Sequence, residues 1–191
     1  IKLRATPINL NYRYKAAELL HVLSDARARA AIFDQAIAER IATAAAHCDL
    51  EVLLQVGGTP QAGVDDLATA IDAAPPLERI ERGDEEWLLY TGGTTGLPKG
   101  VMTRHSWVYQ ICVQSSFRLL DEPTPETVEQ LAEQTRQRRD RGERLVCMPL
   151  APLMHGVGVY NTLAALQGGG TVVFADGTSF DKVVVALGSL G

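Results

Sequence analysis

The sequence predicts an α/β protein with a largely parallel sheet and flanking helices. Three observations carry this prediction. Segments with helical spacing of apolar residues alternate with short apolar runs, glycine and proline turns separate them, and 46% of the 191 residues are hydrophobic, which is enough for a buried core. Charged residues make up 21% and the net charge is −5. This balance argues against a protein that coats nucleic acid or anionic membranes through its overall charge.

Residues 1–80 are expected to form an α/β unit. Leu19, Leu20 and Leu23 recur with helical spacing and precede a short apolar run. The same pattern then repeats, and a proline pair at 75–76 closes the unit. The expected elements are a helix over 15–28, a strand over 30–33, a helix over 35–46, a strand over 51–56 and a helix over 64–73.

Residues 81–120 are expected to form a strand over 87–90, a glycine-rich turn and a helix over 105–119. The segment 121–144 differs, because it holds seven acidic and five basic residues and no aromatic residue. We expect it to be a solvated helical excursion. Its arginine-rich end is a poor nucleic-acid site, since acidic residues outnumber basic ones and no aromatic side chain is available for base stacking.

Residues 145–191 begin with a stretch, 145–175, that contains no Asp, Glu, Lys or Arg. Its length is that of a membrane span. Pro149, Pro152 and the glycine triplet at 168–170 interrupt it, however, so no apolar segment is long enough to cross a bilayer as a helix. We expect instead a strand over 145–148, a helix over 156–166 and a strand over 171–174.

The strongest functional signal is the string TGGTTGLPKG at 91–100. Glycines let backbone N–H groups face an anion without a Cβ in the way, threonine hydroxyls add donors, and Lys99 adds a positive charge. These features predict a cradle for polyphosphate. The string is not a Walker A loop, because Lys99 follows Pro98 and precedes Gly100. Composition alone also allows a mobile hairpin turn between two strands.

With its flanks, this string closely resembles the phosphate-binding signature of the adenylate-forming superfamily, which comprises acyl-CoA synthetases, luciferases and peptide-synthetase adenylation domains. The resemblance implies activation of a carboxylate by ATP as an acyl-adenylate, followed by transfer to a thiol or another acceptor. Gly92 departs from the hydroxyl residue that many members carry, so the backbone would have to serve there. The residues that the resemblance implies in nucleotide binding are Thr91, Gly92, Gly93, Thr94, Thr95, Gly96 and Lys99.

A second string, PLAPLMHG at 149–156, together with the stretch 168–173, resembles the next motif of the same superfamily. There a histidine faces the acyl-binding site and the reacting carboxylate. The resemblance therefore implies that His155 and Lys99 are the catalytic residues within this chain. His155 at the start of a predicted helix would also lie in the positive field of the helix dipole, which suits an anionic substrate.

The start of the chain, 7–14, also resembles the region that these synthetases carry before the phosphate loop, so the resemblance covers nearly the whole chain. It is most similar to bacterial ligases for fatty acids and steroid-type carboxylates. We therefore expect part of the large N-terminal AMP-binding domain of an acyl-CoA synthetase of lipid metabolism. The expected divisions are the α/β unit 1–80, the phosphate loop and following helix 81–120, the charged excursion 121–144 and the acyl-site segment 145–191.

The full enzyme is expected to use ATP, Mg²⁺, CoA and a carboxylic acid. The superfamily's adenine and Mg²⁺ loop, ribose-binding aspartate and C-terminal catalytic lysine are not found in these residues, so this chain alone is expected to be inactive. Two alternatives stay open: another adenylate-forming enzyme, such as an aryl-CoA ligase or a carrier-protein-loading adenylation domain, and a non-catalytic nucleotide-binding module.

The three cysteines, Cys48, Cys112 and Cys147, have neither the close spacing of a zinc site nor the even number of a disulfide framework. We expect packed, inert thiols and no metal site of the chain's own. A reducing cytoplasm fits this usage best, and no export signal is visible at the N-terminus.

Overall fold

A computed structural model gives the fold and describes residues 3–78, 80–81, 83–92, 96–143 and 145–174. The chain divides into two compact units, Ile1–Thr103 and Arg104–Gly191. The strands are β1 (Ile8–Asn9), β2 (Ala30–Asp34), β3 (Val52–Val56), β4 (Asp65–Asp66), β5 (Glu86–Thr91), β6 (Lys99–Arg104), β7 (Val146–Cys147) and β8 (Thr171–Val172). The helices are α1 (Ala16–Asp25), α2 (Ala38–Ala45), α3 (Leu67–Ala73), α4 (His105–Leu119), α5 (Val128–Asp140) and α6 (Gly156–Gln167).

The first unit contains a parallel sheet in the order β2-β3-β4. Ala31 and Phe33 alternate with exposed neighbours along β2, as expected for a strand with one buried face. The buried face packs with α1 and α2, whose spacing of apolar residues places them on one side of each helix. The buried core of this unit consists of Tyr14, Leu19, Val22, Leu23, Ala28, Ala31, Phe33, Ile41, Ala44 and Tyr90.

A second sheet of the first unit has the order β1-β5-β6. The chain passes from β1 through the whole β2-β3-β4 sheet before β5 returns to pair with β1 in parallel, with Ile8 opposite Leu88. Tyr90, near the end of β5, is only 5% exposed and belongs to the core that α1 also lines. This pairing therefore anchors the strand from which the glycine-rich loop leaves.

The second unit is built on the packing of α4 against α6. Phe117 and Cys112 are buried on α4, and Val159 and Ala165 are buried on α6. The short strands β7 and β8 flank α6 in the chain and pair in parallel. This strand–helix–strand arrangement positions the loop that carries His155.

The α/β fold with parallel strand pairs is confirmed, and the predicted helix over 105–119 is present with those bounds. Helix α1 covers only 16–25 of the predicted 15–28, and two further helices begin later than predicted. The side chain of Asp66 accepts a hydrogen bond from the Thr69 backbone N–H at 2.8 Å, which starts α3 at Leu67 rather than at residue 64. The helix predicted from residue 35 opens with the 3₁₀ turn Gln35–Ile37, which Asp34 caps.

The described strands form three small sheets, and β1, β4 and β6 were not expected. The predicted strand over 171–174 is limited to β8, and the acyl-site residues after 174 lie outside the described residues. Within the described part of the chain, no helix combines the length and the apolar content that a bilayer crossing requires.

Candidate functional site

The glycine-rich loop connects β5 to β6. Thr91 is the last residue of β5 and Lys99 is the first residue of β6. Both are exposed, as are Gly92 and Gly96. The other three predicted phosphate ligands, Gly93, Thr94 and Thr95, lie outside the described residues. The described ends of the predicted cradle are thus open to a ligand from solvent.

Gly92 and Gly96 are not required by packing among the described residues. A Cβ added at either position would have no such heavy atom within 4 Å, and neither backbone has the positive φ that favours glycine. Gly100 differs, because a Cβ there would lie 2.9 Å from Leu88 Cδ1 and 3.1 Å from Tyr90 Cζ. Packing against Leu88 and Tyr90 accounts for a glycine at position 100. At Gly92 and Gly96 no described atom fills this space, so a ligand could approach the backbone there.

Lys99 offers a cation at the same loop. Its side chain is exposed, and none of the ion pairs among the described residues uses it. An ammonium group that pairs with no described carboxylate is available to an anionic ligand. Together with the two open glycines, Lys99 makes the end of β5 and the start of β6 suited to binding a phosphate group.

Two hydrogen bonds connect α1 to the residues directly before Thr91 and directly before Lys99, which we call the two stems of the loop. The hydroxyl of Tyr90 donates to Asp25 Oδ2 at 2.5 Å, and His21 Nε2 lies 3.0 Å from the carbonyl oxygen of Pro98. Tyr90 and Pro98 are both buried. Burial, and next the hydrogen bond to Asp25, raise the pKa of Tyr90 far above its usual value, so the hydroxyl keeps its proton at neutral pH.

His155 lies at the N-terminus of α6 in the second unit. It is the N-cap residue, its imidazole is exposed, and its backbone N–H donates to the carbonyl oxygen of Pro152 at 3.0 Å. The side chain makes no capping hydrogen bond, so the imidazole does not accept a hydrogen bond from the first backbone N–H groups of the helix. The predicted juxtaposition of a histidine and a helix N-terminus is therefore present.

Gly158 is a packing residue near His155 that the sequence interpretation missed. A Cβ at this position would overlap the backbone carbonyl oxygens of Ala151 and Pro152. The glycine thus lets the loop before His155 pack directly on the first turn of α6. A glycine inside a predicted helix costs about 1 kcal/mol relative to alanine, and this cost is the signal that could have identified it.

The structure assigns the predicted site residues to both units: Thr91, Gly92, Gly96 and Lys99 belong to the first, and His155 to the second. All three cysteines are free, and Cys112 is buried. Among the described residues, no group of three or more His, Cys, Asp or Glu side chains could hold a metal ion. The candidate anion-binding positions among the described residues are the ends of the loop and the start of α6.

The fold is that of an α/β protein with parallel strand pairs, and the described ends of its glycine-rich loop, Thr91–Gly92 and Gly96, are exposed candidates for phosphate binding. The family model described as AMP-binding enzyme matches residues 1–187. The chain belongs to this family, and the resemblance to the adenylate-forming superfamily is confirmed.

Among curated proteins, the chain is 33% identical over 179 residues to the medium-chain acyl-CoA ligase Mig of Mycobacterium avium, covering 90% of this chain and 32% of that protein. It is 30% identical over 198 residues to a medium/long-chain-fatty-acid–CoA/3-oxocholest-4-en-26-oate–CoA ligase of Mycolicibacterium smegmatis, covering 98% and 34%. The chain therefore spans about a third of the length of the curated relatives it matches.

Among solved structures, the anthranilate CoA ligase AuaEII in complex with anthranoyl-AMP matches with a TM-score of 0.70 and 26% identity, over 91% of this chain and 31% of that one. The N-terminal domain of FACL13 from Mycobacterium tuberculosis matches with a TM-score of 0.64 and 23% identity, over 97% and 42%. The second likeness supports the fold alone.

Proposed function

We propose that this chain contributes the phosphate-binding loop and part of the acyl site to an ATP-dependent acyl-CoA synthetase. Such an enzyme joins a carboxylate to AMP, releases pyrophosphate and transfers the acyl group to CoA. The named activities of the relatives from Mycobacterium avium and Mycolicibacterium smegmatis support fatty or steroid-type carboxylates as substrates. We place the reaction in lipid metabolism and in the cytoplasm.

The observation that carries the proposal is the open space at Gly92 and Gly96 beside a lysine that pairs with no described carboxylate. A polyphosphate can approach a backbone that no Cβ shields, and its charge is matched by Lys99. This fit concerns ATP as a substrate. Mg²⁺ would have to arrive with the phosphates or find ligands elsewhere, because the described residues contain no cluster that could hold it.

The roles of the loop residues follow from the charge that moves in the first step. A carboxylate oxygen attacks the α-phosphorus, the bond to the β-phosphate oxygen breaks, and pyrophosphate leaves with increased negative charge. Lys99 and the backbone N–H groups of the loop stabilise that developing charge. An already ionised acid needs no general base for this attack.

His155 is assigned to the carboxylate. Its exposed imidazole and the N-terminus of α6 together offer hydrogen-bond donors and a favourable field for an anion. The packing of Gly158 against the preceding loop supports this role, because it fixes the backbone that carries the imidazole. In this assignment His155 orients the acid, and Lys99 acts on the leaving group.

The proposal is tested first by binding to the 191-residue chain. We expect inorganic tripolyphosphate to bind the wild type in a calorimetric titration and to bind Lys99→Ala roughly tenfold or more weakly, since a charge-assisted contact is lost. Arg118→Ala is the matched control, because it removes one exposed positive charge outside the loop. Equal affinities for all three proteins would show that Lys99 and its loop do not bind the polyphosphate.

The activity is tested in a protein of the relatives' full length. Carboxylate-dependent exchange between ATP and pyrophosphate should appear there and be absent from the 191-residue chain. In that protein, we expect Lys99→Ala to slow exchange about a hundredfold at saturating ATP, whereas His155→Ala raises the KM for the acid. Carboxylate-dependent AMP release by the 191-residue chain itself would show that the active site has been misplaced.

An aryl-CoA ligase is the second candidate, favoured by the 26% identity to the anthranilate CoA ligase. The two candidates differ in the acid that drives pyrophosphate exchange. Comparing octanoate, 3-oxocholest-4-en-26-oate and anthranilate at equal concentration separates them. Preference for anthranilate would overturn the fatty or steroid-type assignment while leaving the reaction type unchanged.

A further inference from the structure

Helix α1 presents two polar side chains to the two stems of the glycine-rich loop. His21 and Asp25 are four residues apart on this helix, so they lie one turn from each other on the same face. Asp25 Oδ2 accepts a hydrogen bond from the Tyr90 hydroxyl at 2.5 Å. His21 Nε2 lies 3.0 Å from the Pro98 carbonyl oxygen, and because a carbonyl can only accept, Nε2 carries the hydrogen.

The two partners lie at the two ends of the loop in the chain. Tyr90 directly precedes Thr91, and Pro98 directly precedes Lys99. Tyr90 is anchored as well by its ring, which belongs to the same buried core as Leu19, Val22 and Leu23 of α1. One rigid helix therefore sets where the first ligand residue leaves β5 and where the lysine enters β6.

We propose that His21 and Asp25 are positioning residues for the phosphate-binding loop. They hold the Tyr90 and Pro98 stems at a fixed spacing, so that Thr91 and Lys99 already point to one site before a polyphosphate arrives. Preorganisation of this kind strengthens binding because fewer backbone states must be given up on association. This inference rests on the proposed function of the loop.

The charge of Asp25 separates a positioning role from direct ligand binding. A carboxylate beside a polyphosphate site repels the ligand, so Asp25 can only help by acting through Tyr90. Asp25→Asn removes the charge and keeps an oxygen that accepts from the Tyr90 hydroxyl. Asp25→Ala removes both. A positioning role requires the first variant to behave like the wild type and the second to be impaired.

The same logic applies to the other stem. His21→Gln keeps an N–H that can donate to the Pro98 carbonyl, whereas His21→Ala leaves that carbonyl without its partner. Tyr90→Phe removes only the hydroxyl and preserves the buried ring. His47→Ala is the control, since it removes an exposed histidine that lies on another part of the first unit.

Two measurements on the 191-residue chain test the proposal. The first is hydrogen exchange of the peptide covering 86–104 without ligand, and the second is the Kd for inorganic tripolyphosphate by calorimetry. We expect Tyr90→Phe, Asp25→Ala and His21→Ala to exchange faster there and to bind about three- to tenfold more weakly, in keeping with the loss of one hydrogen bond each. Asp25→Asn, His21→Gln and His47→Ala should stay within about twofold of the wild type.

Unchanged exchange in the three impaired variants would overturn the inference, and so would faster exchange with an unchanged Kd. Equal loss in Asp25→Asn and Asp25→Ala would also overturn it, because the hydrogen bond would then not be what matters. Failure of the proposed function has a different signature. If tripolyphosphate does not bind the wild type, or if Lys99→Ala binds it normally, the loop is not a phosphate site whatever the exchange shows.

Discussion

Arg138 Nη2 donates a hydrogen bond to the backbone carbonyl oxygen of Gly168 at 2.5 Å, across 30 residues of sequence. Its Nη1 donates to Glu122 Oε2 at 2.9 Å, and the guanidinium carbon lies 4.7 Å from the centre of the Phe117 ring. Only 3% of Arg138 is exposed. One cation of the charged segment therefore ties α5 to the C-terminal ends of α4 and α6.

Replacing Arg138 should destabilise the second unit strongly. Arg138→Ala leaves the Gly168 carbonyl without its donor, and Glu122 keeps only the exposed Arg141 as an ion-pair partner. We expect a loss of about 2–3 kcal/mol in the free energy of unfolding. Arg139→Ala is the matched control, because Arg139 forms an exposed pair with Asp140 that contributes less than about 1 kcal/mol. Urea unfolding of both variants measures the difference, and equal losses would contradict the role of Arg138.

Among residues 121–143, which the structure describes, composition misled the interpretation at Arg138 only. The helix predicted within 121–144 is present as α5, and most of its residues are exposed as expected. Arg138 looks like its neighbours in sequence because burial of a cation depends on partners that are distant in the chain. A segment of strongly polar composition can therefore still contain a buried residue.

Alanine substitutions at Gly92 and Gly96 should weaken ligand binding while leaving the stability of the fold nearly unchanged. No described heavy atom lies within 4 Å of a Cβ at Gly92 or Gly96, so Gly92→Ala and Gly96→Ala should change the free energy of unfolding by less than about 1 kcal/mol. Both should weaken tripolyphosphate binding, because the new methyl group occupies the space that the ligand approaches.

Gly100→Ala is the control for these two variants. Its Cβ would lie 3.1 Å from Cζ of the Tyr90 ring, which is buried and held by its hydrogen bond to Asp25, so overpacking should lower stability by about 1 kcal/mol or more. Thermal unfolding and calorimetric titration of the three proteins test the contrast. Normal binding by Gly92→Ala and Gly96→Ala would mean that the open space serves no ligand.

Sequence periodicity predicted the longer helices and strands, but it did not predict β1 and β6, the short or exposed strands beside the loop. Helix α4 has the predicted bounds because its pattern is long and local. Strand β1 has two residues, and five of the six residues of β6 are exposed, so neither gives an alternating pattern. Their sheet exists because β5 pairs with a strand from the start of the chain.

At the candidate site, too, the sequence predicted the local motif but not the contacts between residues that are distant in the chain. The order of residues in 91–100 predicted a phosphate loop, and the family match supports the fold around it. The contacts of His21 with Pro98 and of Asp25 with Tyr90 span more than 60 residues each, and no local pattern encodes them. Predicting them would have required the sheet order first.

Gly158→Ala should disturb the loop that carries His155. The added Cβ would overlap the carbonyl oxygens of Ala151 and Pro152, which are backbone atoms and cannot rotate away. We expect a loss of about 1–3 kcal/mol from overpacking, although alanine is otherwise the better helix former. Asn161→Ala, at an exposed position of the same helix, should be neutral or slightly stabilising. Calorimetric unfolding tests both, and a stabilised Gly158→Ala would contradict the close packing.

The buried thiol of Cys112 should make stability depend on alkaline pH. Burial raises the pKa of Cys112 from 9.0 to about 11, and the thiol donates to the Tyr160 carbonyl oxygen at 3.6 Å. Between these two values the unfolded chain has lost the proton and the folded chain still holds it. Stability is therefore fully present below pH 9 and falls as the pH rises toward 11, by about 2 kcal/mol.

Cys112→Ala isolates this contribution from other groups that titrate at alkaline pH. The pKa of Tyr90 is also raised, so both proteins should lose stability above pH 10, and only the difference between their slopes reports on Cys112. The alanine variant starts from a lower free energy of unfolding because it leaves a small cavity, but its decline from pH 9 to 11 should be shallower. Urea unfolding at half-unit steps of pH measures both slopes. Parallel slopes would show that the Cys112 thiol ionises in the folded protein as readily as in the unfolded chain.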